Sequence, residues 1–385
     1  MSMNAVLGLD LILEVLDCLC VPIHFHQRAC DLPVLTACSL VCKEWSPHAQ
    51  RLLFRRVILP NNIYSHPHSR GGAQNPLPSF LVAIDTDTER GRWLAESVLS
   101  FTLRHTGRSL TADSPALATA LLRMPNLRHL DVTTIFCDFD SETLLRLRTS
   151  GPRLTSLAIT QDFSPSVGQH TRIMHRLVSL FPTLKILEIT SELKSELAPF
   201  DPPPNLALEC AKFNTAIAAD ISLCLASLLD PKAETPLQVL WHKSKAGHPS
   251  VLDGILATHG KHLRSIAFKS LDSEVCPPLH QCSILERFEY GRYPSADILA
   301  ALPNTITALG ISGFPEPVSR IDSLEAALLR LPRLRILTWS LCLAPFDFFV
   351  DQMCRRLGIQ LRASATEVMD DNAVELELRR KYIRI

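Results

Sequence analysis

Cysteine and histidine residues cluster near the start of the chain and are the first candidates for metal chemistry. They are Cys18, Cys20, His24 and His26. Zinc prefers thiolate and imidazole ligands, but structural zinc sites usually separate the members of a ligand pair by about two to four residues and add a second pair. Here one residue separates each pair, and no second pair follows at a suitable distance. We therefore predict no metal site and no cofactor.

We likewise predict no metal role for two further histidine pairs. They are His66 with His68 and His259 with His262. The common catalytic motifs are also missing, since the sequence has no nucleophile elbow, Walker loop, dinucleotide fingerprint or His-Glu-x-x-His. Serine, histidine and aspartate are scattered, and a triad depends on geometry that spacing does not show. We predict that the chain is not an enzyme, and a hydrolytic or metal enzyme stays as a minor alternative.

The charge balance argues against nucleic-acid and membrane partners. Lysine plus arginine number 39 and aspartate plus glutamate number 39, so the net charge is zero, and no dense basic run occurs. Long-range attraction to phosphate or to anionic lipid is therefore not favoured. With 46% hydrophobic and 20% charged residues, the chain is poor in charge, which favours a surface partly covered by a protein partner.

Cysteine usage and the N-terminal composition point to a reducing compartment. Twelve cysteines in 385 residues are too sparse for a disulfide scaffold and lie within apolar patterns. The first basic residue is Arg28, and Asp10, Glu14 and Asp17 interrupt the N-terminal apolar run. These features fit neither a signal peptide nor a membrane span. We predict a cytoplasmic or nuclear location.

A six-residue pattern with apolar residues at its first, fourth and sixth places recurs along the chain. It occupies residues 98–103, 127–132, 154–159, 184–189, 237–242, 263–268, 285–290, 306–311 and 334–339, with an imperfect sixth place in the fifth copy. Successive copies start 21 to 30 residues apart except for one gap of 53. The usual spacing is close to that of leucine-rich repeats, so the long gap is expected to hide a degenerate copy, with 208–213 as a weak candidate.

Helical stretches that end near a proline precede several of these strand motifs. Examples are SPALATALLRMPNL, HRLVSLFPTL and DSLEAALLRLPRL. A parallel strand, a turn and a covering helix would thus alternate, and such units bury their apolar faces only by stacking. We predict an α/β solenoid with strands on the concave face and helices on the convex face. Leu187 and Leu337, each in the fourth place of its motif, should be fully buried.

The remaining strand positions are the candidates for recognising a target protein. Because side chains alternate along a strand, residues between the buried ones should point to the concave face. The polar and aromatic residues placed there or just after the strands are His129, Asp131, Glu188, Trp241, Lys243, Lys269, Arg287 and Glu289. Trp241 is either an exposed interface anchor or a residue buried beneath a neighbouring loop.

The first 59 residues have a different pattern. Residues 7–19 and 35–45 place apolar side chains at helical spacing, the second ending at Trp45, and Phe54, Val57 and Leu59 then mark the onset of a strand. A helix with a tryptophan therefore leads directly into a sheet.

This arrangement resembles the F-box, the adaptor-docking module of cullin-RING ubiquitin ligases. The Leu-Val-Cys-Lys-x-Trp element of that family is met by 40–45, and its apolar helix by residues between 7 and 19, although Gly8 stands where the family has a proline. The resemblance implies that a Skp-type adaptor, and a cullin through it, would bind the apolar residues of these helices. They are Leu7, Leu11, Ile12, Val15, Leu16, Leu19, Val41, Cys42 and Trp45.

The two patterns together predict the organisation and function of the chain. An F-box-like helical domain (1–59) would be followed by a linker and irregular connection (60–97), a leucine-rich-repeat-like solenoid (98–362) and a C-terminal helix or cap (363–385). By resemblance, the chain would be the substrate receptor of a cullin-RING ligase of the SCF type. The alternative is a repeat scaffold that binds proteins without any ligase.

Overall fold

The structure of the chain is a computed structural model. It describes residues 32–41, 45–60, 76–104, 114–133, 137–161, 167–191, 206–215, 228–229, 236–243, 249–268, 278–291, 293–311, 320–340, 344–364 and 372–383. The chain divides into two compact units, Met1–Thr155 with Ile383–Ile385, and Ser156–Tyr382.

In the first unit, two helices lead directly into a parallel sheet. Its elements are α1 (Leu32–Val41), α2 (Ser46–Arg55), β1 (Arg56–Pro60), α3 (Pro76–Ala83), α4 (Glu89–Ser97), β2 (Ser100–Arg104), α5 (Ser114–Arg123), β3 (His129–Thr133) and α6 (Ser141–Ser150). Strands β1, β2 and β3 pair in parallel, with Val57, Phe101 and Leu130 in register. The change from helical to strand spacing near residue 56 therefore produces the first strand of this sheet.

Part of the stretch expected to be an irregular connection forms helices α3 and α4. Pro76 is the first residue of α3, a position where proline costs no hydrogen bond, and the Thr88 side chain caps α4 by accepting a backbone hydrogen bond of 2.9 Å. Phe80 of α3 stacks on Phe101 of β2 with ring centroids 5.3 Å apart. Part of the predicted linker and irregular connection (60–97) is therefore helical and packs against the sheet.

The second unit continues the alternation of strands and helices. Its strands are β4 (Ser156–Gln161), β5 (Ile186–Ser191), β6 (Cys210–Thr215), β7 (Val239–Lys243), β8 (Ser265–Phe268), β9 (Arg287–Tyr290), β10 (Ala308–Ile311), β11 (Ile336–Ser340) and β12 (Gln360–Ser364). Its described α-helices are α7 (Val167–Leu180), α8 (Pro249–His259), α9 (Ala296–Ala301), α10 (Arg320–Arg330), α11 (Ala344–Leu357) and α12 (Ala373–Ile383). Each strand pairs in parallel with the next one along the chain.

Every copy of the six-residue pattern contains a strand or most of one. Strand β6 begins within 208–213, which confirms that weak candidate, whereas β12 lies beyond the recognised copies. The predicted fold class is confirmed: the chain is α/β, with a helical start followed by parallel strands that alternate with helices.

The strands of the second unit keep one register across the sheet. The residues that stand side by side are Leu157, Leu187, Ala211, Leu240, Ile266, Phe288, Leu309, Leu337 and Leu361. We call their side, which carries the fourth and sixth places of the motif, the back face, and the side with the third and fifth places the front face. Leu187 and Leu337 are both 0% exposed, as predicted.

A recurring turn explains why the preceding helices end near proline. The backbone N–H of Leu127 donates to the carbonyl of Met124, and Leu184 and Leu334 donate in the same way to Phe181 and Leu331. Proline follows the acceptor residue in each case, at the turn position that suits its fixed φ angle. Connections between parallel neighbouring strands are almost always right-handed, a rule that favours successive helices on the same face of the sheet.

Candidate functional site

The front face of strands β5 to β8 is covered by the C-terminal helix α12. Two apolar side chains of the helix, Val374 and Leu378, pack into a cluster with front-face residues, and Tyr382 packs against its edge. The front-face members are Ile186, Cys210, Val239, Trp241 and Ala267. We call this surface, together with Glu188, Lys212 and Ser265 of the same strands, the helix seat.

A chain of buried charges runs through the helix seat. The Glu375 carboxylate lies 2.5 Å from Lys212 Nζ and 2.7 Å from Arg379 Nε, and Arg379 Nη2 lies 3.0 Å from Glu188 Oε2. Glu375, Lys212 and Arg379 are each at most 9% exposed, whereas Glu188 is 28% exposed. Two acids and two bases therefore alternate, and the network is neutral as a whole.

The local electrostatics keep Glu375 ionised despite its burial. Desolvation raises the pKa of Glu375, but attraction to Lys212 and Arg379 outweighs it, so the pKa lies below its ordinary value. For Arg379, desolvation lowers the pKa, but Glu375 and Glu188 more than compensate, and the pKa is raised. Burial next to these charges also raises the pKa of the Cys210 thiol, which makes it a poor nucleophile.

Trp241 lies at the centre of the helix seat. Lys212 Nζ lies 3.7 Å from the centroid of its ring, a cation–π contact. The residue is 6% exposed, and its indole Nε1 is buried without a hydrogen-bond acceptor. Trp241 therefore lies on the front face and is covered by a helix of the same chain.

Both ends of α12 are fixed by polar contacts to the sheet. Asn372 precedes the helix; its side chain accepts a hydrogen bond from the Glu375 backbone N–H at 3.3 Å and donates to Ser265 Oγ at 2.9 Å. Near the other end, Lys381 Nζ lies 3.2 Å from Glu209 Oε2, and the Tyr382 hydroxyl donates to the same carboxylate. These contacts set the direction of the helix, from β8 towards β5 and β6.

A second acidic residue of α12 forms an ion pair at the rim. Glu377 is 63% exposed and lies 2.9 Å from Arg264, which also pairs with Glu286 at 2.9 Å. An ion pair so open to water contributes little to stability. The apolar cluster and the buried charges are therefore the main determinants of where α12 docks.

The other predicted target-binding residues are not among those that form the helix seat. Arg287 and Glu289 pair with each other on β9 through contacts of 2.5 and 2.7 Å. His129 and Asp131 are buried on β3 of the first unit. Lys243 ends β7, and Lys269 lies outside the described residues. Of the predicted set, the structure brings Glu188 and Trp241 together.

Most of the predicted adaptor-binding residues lie outside the part that the structure describes. These are Leu7, Leu11, Ile12, Val15, Leu16, Leu19 and Cys42. Val41 is the last residue of α1, and Trp45 is half-buried just before α2. Leu40, in the element that resembles the F-box, is 82% exposed.

The described ranges contain neither a cluster of metal-ligating residues nor a helix suited to span a membrane. No group of three or more histidine, cysteine, aspartate or glutamate residues there is arranged to hold a metal ion. The predicted candidates from Cys18 to His26, and His66 with His68, lie outside those ranges. No described helix combines the length and apolar character needed to cross a bilayer.

Sequence reasoning missed the helix seat because α12 buries charged residues. Its buried face carries Val374, Leu378, Glu375 and Arg379, so the sequence shows no continuous apolar stripe there. The segment was predicted only to be a C-terminal helix or cap. One signal was present: Asn372 and Glu375 have the spacing of a capping box, which marks a helix N-terminus.

Comparisons with known proteins add little to this description. No protein-family model matches the sequence, and no curated protein matches it. The chain is similar to the solved structure of the leucine-rich repeat-containing protein LegL7 from Legionella pneumophila, with 13% sequence identity and a TM-score of 0.40 over 82% of this chain and 96% of that one. A TM-score this low carries no argument, so the fold assignment rests on the strand order and repeat pattern of the chain itself.

Proposed function

We propose that this chain is a non-catalytic repeat protein that recognises another protein through the front face of its second unit. The observation that supports this is the helix seat, where an apolar centre and paired charges hold a helix against the sheet. Protein interfaces combine an apolar core with polar contacts in the same way. The chain would hold its partner in place and perform no chemistry, and it would need no cofactor.

We further propose that the bound protein is a target for ubiquitin transfer. The F-box resemblance supports this, as does Leu40, whose exposed side chain lies in the element that would face a Skp-type adaptor. The adaptor and its cullin would bring the ubiquitin-loaded enzyme close to the target, which raises the effective concentration of the reacting lysine. The place of action would be the cytoplasm or the nucleus.

Adaptor binding by the full chain tests the ligase proposal. The chain is co-expressed with the Skp-type adaptor of its own source, and binding is measured by co-purification and by calorimetry at micromolar concentrations. The double variant Leu11→Ala with Leu16→Ala should abolish binding, because it removes apolar groups that each contribute roughly 1.5 to 3 kcal/mol when fully covered.

The matched control carries the same type of change at exposed leucines of other helices. Leu145 and Leu329 are each 62% exposed, and the double variant Leu145→Ala with Leu329→Ala should bind the adaptor as the wild type does. If the wild-type chain shows no adaptor binding, the ligase proposal fails and the repeat scaffold without a ligase takes its place.

A further inference from the structure

We propose that the helix seat is the surface at which a helix of the target protein binds, and that α12 is an intramolecular competitor which the target displaces. This inference deepens the proposed protein-binding function and rests on it. Three features of the seat support this inference. They are the side-chain contacts that hold α12, the charges that α12 buries, and the indole N–H of Trp241, which has no acceptor.

Helix α12 is held to the sheet by side chains and is not part of the strand pairing. Its contacts with the seat include the apolar packing of Val374 and Leu378, the ion pairs of Glu375 and Arg379, and the hydrogen bond of Asn372. Each strand from β4 to β12 pairs with other strands. The helix can therefore leave the front face without breaking a backbone ladder.

The charges in the seat serve recognition better than they serve stability. A buried ion pair contributes little net stability compared with apolar residues of the same size, because desolvation offsets the attraction. Complementary charges do select a partner and fix its register. The alternation of Glu188, Lys212, Glu375 and Arg379 is therefore suited to choosing among helices.

The indole of Trp241 indicates that α12 is not the best possible occupant. A buried N–H donor without an acceptor is costly, and α12 provides no acceptor to Nε1. A target helix with a side-chain oxygen at that point would satisfy the donor and so gain an advantage over α12.

These features define the target helix by its chemistry. It begins with a capping residue such as Asn, Ser or Asp and places apolar residues four positions apart, corresponding to Val374 and Leu378. An acidic residue follows the first apolar residue, as Glu375 does, and a basic residue follows the second, as Arg379 does. Because α12 is tethered to the seat, its effective concentration there is on the order of millimolar. The target helix must therefore compete with α12 at that effective concentration.

Binding of a helix in trans tests the proposal on the full chain. The probe is a fluorescein-labelled peptide of residues 371–385, and its affinity is measured by fluorescence anisotropy. The wild-type chain should bind it weakly because α12 fills the seat. The variant Leu378→Asp, which weakens its own helix, should bind the wild-type peptide at least about tenfold more tightly, since the fraction of open seats increases.

Two controls accompany this measurement. Arg380 is exposed on α12, so the chain variant Arg380→Ala should bind the peptide as weakly as the wild type. A peptide with Leu378→Asp should not bind the opened chain. If the Leu378→Asp chain keeps its wild-type circular dichroism and still fails to bind the wild-type peptide, the proposal is overturned and α12 is an integral part of the fold.

Hydrogen exchange of the wild-type chain gives a second, independent measurement. If α12 opens by itself, the amides of 376–383 exchange at least about tenfold faster than those of the protected strands β5 to β8. Exchange of both at one common rate would overturn the proposal. Neither result depends on the adaptor assay, which concerns residues 1–59, so failure of the helix seat and failure of the ligase proposal can be told apart.

Discussion

Replacing Glu375 by alanine should detach α12 from the sheet. The carboxylate lies between Lys212 and Arg379, all three are nearly buried, and its removal would leave two cations facing each other in the seat. Removing one partner of a buried ion pair typically costs about 3 to 5 kcal/mol. Glu375→Ala should therefore weaken docking of α12 by about 3 kcal/mol, and the loss cannot exceed the docking free energy, because beyond that point the helix leaves the seat.

The same helix provides the control. Glu377 is also a paired glutamate, but it is 63% exposed, so Glu377→Ala should cost only about 0.2 to 1 kcal/mol. Hydrogen exchange followed by mass spectrometry measures both variants, and a loss of about 3 kcal/mol corresponds to exchange of the α12 amides on the order of 100-fold faster. Equal exchange rates in the two variants would refute the assignment of Glu375 as the centre of the charge network.

Three other predictions concern the core, the pH dependence and the thiols. Leu187→Ala and Leu337→Ala should each lower the free energy of unfolding, measured by urea denaturation, by about 2 to 5 kcal/mol. A decrease of less than about 1 kcal/mol in either variant would contradict the repeat register. The lowered pKa of Glu375 means that its stabilising contribution is complete above pH 4.5, its ordinary pKa, and is lost as the pH falls through the lowered value. The protection of the α12 amides, taken relative to the exchange rate of an unstructured chain at the same pH, should therefore fall in acid in the wild type, and Glu375→Gln should lack that dependence. Burial raises the pKa of Cys282 and Cys354 to about 11, so these thiols should react slowly with a thiol reagent in the native chain. In denatured, unreduced protein, nearly all twelve cysteines should react with the reagent. Several stable disulfides would overturn the predicted reducing compartment.

The sequence predicted the strands well because their signal is local and repeated. Leu187 and Leu337 were placed in the core by counting positions within one motif, and a parallel sheet requires the same alternation of every strand. The spacing also indicated a hidden unit, which is β6. Strand β12 was missed because Leu361 alone marks it, without the leading apolar residue of the other copies.

The occupant of the front face could not be predicted in the same way. The ion pair between Glu188 and Arg379 joins residues 191 positions apart, and no periodicity links them. Charged residues in a terminal segment ordinarily indicate a solvated helix, and here two of them are buried because they neutralise partners on the sheet. Trp241 is buried because α12 packs against it, and its position in β7 alone did not indicate this.

The junction between α2 and β1 has a consequence for exchanging parts between related proteins. Helix α2 ends at Arg55 and β1 begins at Arg56, with no residue between them. A single inserted or deleted residue would turn Val57 and Leu59 to the other side of the sheet. The helical segment is thus not joined to the sheet by a flexible linker. A helical segment transplanted from a related protein would have to keep the number of residues at this junction unchanged. A spacer inserted there would disrupt the fold and would not simply increase the distance between the two parts.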